Sequence, residues 1–450
     1  MQLNILNNKP ANKCIEIVRR LIGEASFKDR HRKNAKQFTR ECTLSFPVLV
    51  LFLLRKSVKS MQKRLHEFLL ELTGSATLLM VGGGAVTKAR AKLEASAYVE
   101  LNEEGPLKCF YEPENEEQVQ RWYGHRLLGI DGSKTRLPKS QELGKAFGWV
   151  QTSNQHGIKD EYPEGRMSVL YDVLNEMGLE GKLVSSTIGE TELALEHLAK
   201  VSPGDVLLTD RGYSGFRWFV EVLQREAHFV CRCSESSFSL VDELFARDQA
   251  GVSVIVDLVA QKNLRPELRR DKLPTTTKVR FVSVRLSTGE LEVLATSLLD
   301  ESKYPTEDFS ELYWKRWGHE TYYGRVKGAL DLENFSGKTE DAIAQDFQAL
   351  VFLANLETML IGPVEQQLAE RSTRLKNPVQ VNRSDSLHGV KCRTLDLLAS
   401  DLPVEEVIKE LTVWFMSNPV TVRKKRKVPR RKFSANRSYH FQKRVRKITY

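Results

Sequence analysis

The spacing of apolar positions changes character along this chain. Up to about residue 101 apolar residues recur at intervals of three and four, as in Lys13–Ile22 and Val48–Leu72, the period of helices that bury one face. Ser45-Phe46-Pro47 reads as a helix start, since proline is tolerated in the first turn. Residues 102–120 are acidic around Gly105-Pro106 and predict a linker. From 121 onward short apolar runs alternate with helical stretches. His125–Asp131 predicts a buried strand ending in an acid before a Gly132-Ser133 turn. Arg166–Val173 and Lys182–Ile188 predict two more strands, linked near Gly178 and Gly181. Thr191–Val201 has helical periodicity, and Asp205–Asp210 is a fourth strand that again delivers an acid at its end. Ser214 is placed to cap a helix over Gly215–Ala227, and His228–Cys233 supplies a fifth strand.

Residues 235–304 read as a separate β-rich block with strands at Val252–Leu258, Lys278–Leu286 and Glu290–Ser297, the last two a hairpin around Thr288-Gly289. Lys278, Arg280 and Arg285 suit DNA contact, and equally an edge kept charged against aggregation. Tyr313 to Lys327 reads as a helix; at about 100° per residue, Tyr313, Arg316, Glu320 and Lys327 fall within an arc of roughly 60°. A carboxylate flanked by two cations and a phenol suits an acid that holds a hard cation while Arg and Lys meet phosphates. An ordinary Arg316–Glu320 pair on a surface helix fits the same spacing. Trp317, near the rim of that face, suits base stacking or core packing. Thr339–Leu360 predicts a helix covering the core, and Val379–Leu411 is mostly helical.

Length and composition bound these readings. The 450 residues, 41% hydrophobic and 28% charged, describe a soluble globular protein of two to four domains. The longest strongly apolar run, Leu44–Leu54, is too short for a bilayer, which needs about 20 residues. The first residues lack a signal-peptide pattern, so a cytoplasmic, nucleoid-associated protein with no membrane partner is expected. Residues 421–450 hold 13 Lys and Arg and no acid; the other 420 carry 55 Lys and Arg against 58 Asp and Glu, so a net charge of +10 rests on the tail. Its first run is Arg423, Lys424, Lys425, Arg426 and Lys427, and a polyanion is the natural partner. A second basic cluster, Lys28, Arg30, Arg32, Lys33, Lys36 and Arg40, suits either an end-recognition module of helix-turn-helix type or a solvated face. Six scattered cysteines, with only Cys231 and Cys233 close, give a poor zinc signal and read as reduced thiols.

The spacing Tyr-x2-Arg-x3-Glu-x6-Lys, with Asp131-Gly132-Ser133 and Asp210-Arg211-Gly212-Tyr213, resembles the DDE transposases of bacterial insertion sequences, in the YREK-signature group (insertion sequence four family). The resemblance covers about 121–360. It implies an α/β fold: a ribonuclease H-like catalytic core interrupted by a β-rich insertion, with a helical N-terminal domain and a helical, basic C-terminal region. The expected segments are 1–101, helical and DNA-binding; 102–120, an acidic linker; 121–234, the first stretch of the core; 235–304, the insertion; 305–362, the remainder of the core with the glutamate helix; 363–420, helical; and 421–450, the basic tail. Strand order, three strands, helix, strand, helix, strand, matches such a core, with acids on the first strand, after the fourth and on a late helix. The resemblance implies Asp131, Asp210 and Glu320 as catalytic metal ligands for two Mg2+ ions, with Mn2+ as a substitute. It also implies DNA contacts at Tyr313, Arg316, Trp317, Lys327, Arg211 and the tail, double-stranded terminal repeats and target DNA as partners, and a homodimer in the end-paired complex. The implied activity is cut-and-paste transposition; a structure-selective nuclease on the same core, or a non-catalytic DNA-binding descendant, are the alternatives.

Overall fold

A computed structural model of the chain describes residues 8–57, 59–74, 81–153, 159–286, 289–328 and 330–422. The tail residues Arg423 to Lys427 lie outside them, as does the Trp317 side chain. The chain divides into two compact units: Met1–Val119 with Lys134–Gly165 and Tyr323–Tyr450, and Gln120–Ser133 with Arg166–Tyr322. These boundaries run across those of the segments expected from the sequence.

The first unit is mainly helical. Phe46–Leu54 begins after Ser45, which makes no side-chain cap, with proline in its first turn, but it stops at Leu54 and a separate helix begins at Met61, so the apolar run 48–72 is two helices. The expected linker is a correction. Residues 103–107 form a wide helical turn that accommodates Pro106, and Pro113–Gln118 form a tight one with three-residue spacing. Gly105 is buried because a Cβ there would lie 2.7 Å from Val18, so its lack of a side chain serves close packing, not looseness. The Glu340–Ser372 helix is long and apolar enough to cross a membrane, but 78% of its apolar window is buried inside the protein, as in a core helix. One buried ionic knot ties it to the Gly83–Arg90 helix: Arg90 donates to Gln345, Ser336, the Ala342 carbonyl and Asp346. Asp346 in turn accepts from the Ser336 amide and hydroxyl. Half of the basic cluster near residue 30 is engaged inside this unit, with Arg30 on Glu100, Arg32 on Asp29 and Lys33 on Asp341.

Among the described residues the larger sheet has nine strands, β1 (Leu127–Arg136), β2 (Trp149–Ser153), β3 (Lys159–Asp172), β4 (Met177–Ser185), β5 (Val206–Thr209), β6 (His228–Arg232), β7 (Ser253–Val259), β8 (Thr276–Arg285) and β9 (Leu291–Thr296), and Val379–Gln380 pairs separately with Val420–Thr421. The β2–β3 hairpin belongs to the first unit and has no counterpart among the expected strands. In the second unit the neighbours are β4-β3-β1-β5-β6-β9-β8-β7, with β1, β5 and β6 parallel and β9, β8 and β7 antiparallel in succession. Helices Glu190–His197 and Phe216–Leu223 supply the crossovers. The fully buried Val206–Thr209 explains its continuous apolar run.

Several local expectations need correction. Strand β1 continues through Asp131-Gly132-Ser133 instead of turning there. The turn between β3 and β4 is set by Asp172, whose carboxylate accepts from Leu174 N, Asn175 N and Asn175 Nδ2, with Glu176 at positive φ; Gly178 and Gly181 lie within β4. Gly215, not Ser214, precedes the Phe216–Leu223 helix, because the Ser214 hydroxyl is used on the Arg211 carbonyl and by Ser237. The strands of 253–296 extend the same sheet from the free edge of β6, accompanied by helices Ser239–Arg247 and Arg265–Arg270. Within β8, Arg280 is fully buried. It donates to Ser253 Oγ, Thr306 Oγ1 and the Leu298 and Tyr304 carbonyls, so it is a staple of the fold and cannot track DNA. Arg285 pairs with Asp248, and Lys278 lies 3.8 Å from Asp257. Thr288 of the expected hairpin turn lies outside the described residues.

Candidate functional site

Two parallel ladders bring the strand-end charges together. Register between β1 and β5 pairs Leu127 with Val206, Leu128 with Leu207 and Gly129 with Leu208; carried on two residues, it sets Asp131 abreast of Asp210. Register between β5 and β6 pairs Thr209 with Cys231, and one residue further sets Asp210 abreast of Arg232. Adjacent strands lie about 4.8 Å apart, so these three positions form a short row just past the last paired residues of β1 with β5, where β5 and β6 end and β1 runs on. Crevices there are where open α/β sheets place ligands.

Each member of the row is held. Asp131 Oδ1 accepts from the Gly132 amide at 2.8 Å. Asp210 caps the Arg211–Tyr213 turn through the Arg211 amide at 2.8 Å and accepts from the Tyr313 hydroxyl at 3.3 Å. Arg232 lies 3.7 Å from Asp210 and is gripped from behind by the buried Glu292, at 2.6 and 2.5 Å. Arg232 is absent from the residues the sequence singles out; its signal is that it follows an apolar strand at the position where the acids follow theirs.

The third acid arrives on a broken helix. The stretch from Tyr313 is not one helix but two, Asp308–Lys315 and Trp317–Gly328, which meet at Arg316. Backbone bonds Arg316 N to Tyr313 O and His319 N to Arg316 O tighten the junction to three-residue spacing. The second helix comes close to β1 because Gly129 has no side chain: a Cβ there would lie 3.4 Å from that of His319. His319 is fully buried against Tyr171, and burial lowers it to about 3, so it packs as a neutral ring. Gly324 is exposed with nothing close, so it marks no tight approach within the protein.

Arg316 lies at the electrostatic centre of the acids. Only 5% exposed, it stacks on Tyr313 with its guanidinium carbon 5.5 Å from the ring centre and donates from Nη2 to Glu320 Oε1 at 3.1 Å. Burial alone would lower its pKa; Tyr313, Asp210, Glu320 and Asp131 outweigh that and raise it. Asp131 is pushed the other way: burial raises its carboxyl to about 6 against the opposing pull of Arg316 and the Gly132 amide. Burial also raises the Tyr313 phenol well above its ordinary range, so it serves as a hydroxyl donor. Arg316 Nε is buried and has no hydrogen-bond partner among the described residues.

The donors are three carboxylates, the hard oxygen set that suits Mg2+ or Mn2+ and not a soft metal. They fit such a cation in kind. In this arrangement, however, no group of three or more His, Cys, Asp and Glu among the described residues is close enough to hold one; the acids gather around the Arg316 guanidinium instead. The remaining expected residues are spread out. Arg211 is exposed beside Asp210. Lys327 falls in the first unit, half-buried, where its ammonium donates to the Lys134 carbonyl at 2.7 Å; burial lowers its pKa, opposed by Glu333 and Glu164. Trp314, which no sequence pattern marks, is 63% exposed.

In the second unit, then, two neighbouring parallel strands of a mixed α/β sheet carry Asp131 and Asp210, and a late helix carries Glu320. Residues 122–356, just over half the chain, match the family described as the transposase DDE domain. The chain belongs to that family. Among its relatives, the protein titled "Putative transposase y4zB" from Sinorhizobium fredii is 23% identical over 242 residues, 53% of this chain and 60% of that protein, so the chain spans less than two thirds of that relative. "Transposase InsG for insertion sequence element IS4" from Escherichia coli is 23% identical over 321 residues, 69% of this chain and 68% of that one. A solved piggyBac transposase synaptic complex with hairpin DNA is similar at 12% identity with a TM-score of 0.41, covering 95% of this chain and 87% of that one.

Proposed function

We propose that this protein is a metal-dependent DNA transposase that cuts the ends of a mobile element and joins their 3′-hydroxyls to a target. The observation that carries the reading is the register that, carried two residues on, sets Asp131 and Asp210 abreast, inside the segment matching the transposase DDE domain, with Glu320 paired to Arg316, whose charge both aspartates also favour. The β4-β3-β1-β5-β6 order supports reading this sheet as a ribonuclease H-like core, with β7 to β9 as its insertion. Asp131, Asp210 and Glu320 are the residues that would hold two divalent cations. Bound there, Mg2+ would activate a water or 3′-hydroxyl and steady the leaving oxygen.

The chain's own residues divide the rest of the work. Arg316, with one guanidinium nitrogen uncommitted, meets the phosphate at the reacting bond, while the Tyr313 hydroxyl orients Asp210. Arg232, backed by Glu292, balances the two strand-end acids. Lys327 and the tail from Arg423 to Lys427 contact the duplex backbone; a tail this basic retains the protein on the nucleoid. Two copies pair the two element ends.

The test incubates purified protein and Mg2+ with a duplex bearing the sequences that flank its own element, then maps breaks and joined products. Breaks at the ends with strand-transfer products support the reading. Breaks without joining leave a nuclease, and no break under any divalent cation overturns it.

A further inference from the structure

A basic turn is packed against the helix that follows Asp210. Asp210 caps the Arg211–Tyr213 turn, the Phe216–Leu223 helix starts just beyond it, and the Arg265–Arg270 helix lies on that helix, with Leu268 buried against Phe216, Val220 and Ala260. Both acids of the turn face this contact. Arg217 donates to Glu267 and, at 2.9 Å, to Asp271, and also meets Glu221 at 3.2 Å. At about 100° per residue, Arg265 and Arg269 fall on the side opposite Glu267 and Asp271. Lys262, Arg269 and Lys272 are exposed and make no ion pair among the described residues. Arg270 is exposed too, with its Nε 3.1 Å from Asp271, and Arg265 is half-buried with its Nε on the Ala260 carbonyl.

The turn closes on a lysine where glycine would serve better. The Leu273 amide donates to the Leu268 carbonyl at 2.8 Å and the Lys272 amide to the Arg269 carbonyl at 3.2 Å, the paired bonds that end a helix through one left-handed residue. That residue is Lys272, at φ 57°, a conformation that strains a side chain and costs glycine nothing. A cation in the last turn complements the helix dipole, which accounts for Arg269 or Arg270 and gives no reason to place one at the strained position. Charge is concentrated here as well. The first 420 residues hold more acids than cations, whereas residues 262–272 hold five cations and two acids, both acids engaged by Arg217. Asn263 and Pro266 are the other exposed residues of this stretch besides Asp271, so no apolar wedge for a lipid surface accompanies the charges.

We infer that residues 262–272 dock the phosphate backbone of duplex DNA, with Arg269 and Lys272 as the principal contacts and Arg217 drawing the two acids away from the approaching phosphates. Such contacts position a duplex without reading its sequence, so an element end and unrelated DNA are gripped alike. The inference rests on the reading of this protein as one that acts on DNA, and the experiment separates the two.

Binding of the full chain to a labelled duplex carrying its element's flanking sequence, and to an unrelated duplex, is followed by fluorescence anisotropy across a salt series, with thermal denaturation of the DNA-free protein and mapping of DNA breaks alongside. For Arg269→Gln combined with Lys272→Gly the expected result is a salt dependence shallower by about two units of slope, and at least about tenfold weaker affinity, on both duplexes. Lys272→Gly alone should lose about one unit of slope while its Tm stays equal or rises, since glycine relieves the left-handed position. A raised Tm with an unchanged slope makes Lys272 an ordinary surface residue and overturns the inference. Lys409→Ala removes an exposed cation from the Val404–Ser417 helix and should leave the slope as it is; an equal loss there means that net charge alone is at work, which also overturns it. Weakened binding in the variants of a protein that breaks no DNA keeps the docking surface and removes the proposed function, and cutting and joining with unchanged slopes does the reverse.

Discussion

Two buried arginines show how this chain separates structure from chemistry. Arg90 spends its guanidinium on Gln345, Ser336, the Ala342 carbonyl and Asp346, and Asp346 is itself saturated by Ser336. Arg316 is just as buried, yet it makes one side-chain hydrogen bond, to Glu320, and leaves Nε unpaired among the described residues while four ionisable groups bear on it. A closed network fixes two helices and has no capacity left over. An open one keeps a buried donor nitrogen in reserve beside several acids, which is the condition under which a phosphate can take up an internal position.

The contrast can be broken from either side. Glu320→Gln should reduce DNA cleavage by about a thousandfold or more with end binding retained, because an amide is a poor ligand for a hard cation; undiminished initial rates would remove Glu320 from the site. Arg90→Met leaves Asp346 buried without its cation and should cost about 3–5 kcal/mol in urea denaturation, whereas Arg316→Met, beside acids that water reaches, should cost about 1 kcal/mol or less. Equal losses for the two would dissolve the distinction.

Asp131→Asn sharpens the comparison in the opposite sense, since it should stabilise the metal-free protein by about 1–2 kcal/mol at pH 7–8. Its folded pKa is raised from 3.8 to about 6, so the folded state binds its proton more tightly than the unfolded one. Stability from this group is therefore full below about pH 4 and lost as pH rises through 6, and the advantage of Asn should vanish on acidification. A pH-independent difference would mean that burial of charge is not the cause. The smallest effect is Lys327→Ala, where the salt dependence of duplex binding should become shallower by about one unit of slope if one phosphate contact is lost. An unchanged slope would assign Lys327 wholly to its Lys134 carbonyl.

Much of the sheet was legible because its parallel strands are buried on both faces and read as unbroken apolar runs; β5 and β6 fall within a residue of their expected limits. The acids were legible as strand-end residues and as a spacing. What misled were residues that usually punctuate. Gly105, Gly132, Gly178 and Gly181 suggested a linker and turns, yet they lie inside helix or strand, two of them where another side chain crosses closely. The break at Arg316 was hidden because each half keeps a helical pattern. Arg280 reads as a surface cation from its neighbours in β8, and only the carbonyls around it reveal a buried one.

The pairing of β1 with β5 acts as a ruler with two-residue graduations. One extra residue between Gly129 and Asp131 would turn the carboxylate to the reverse side of the sheet, away from Asp210, while leaving composition and charge untouched. This short span should therefore reject single-codon insertions that an exposed loop would absorb, and a compensating deletion within the strand should rescue them.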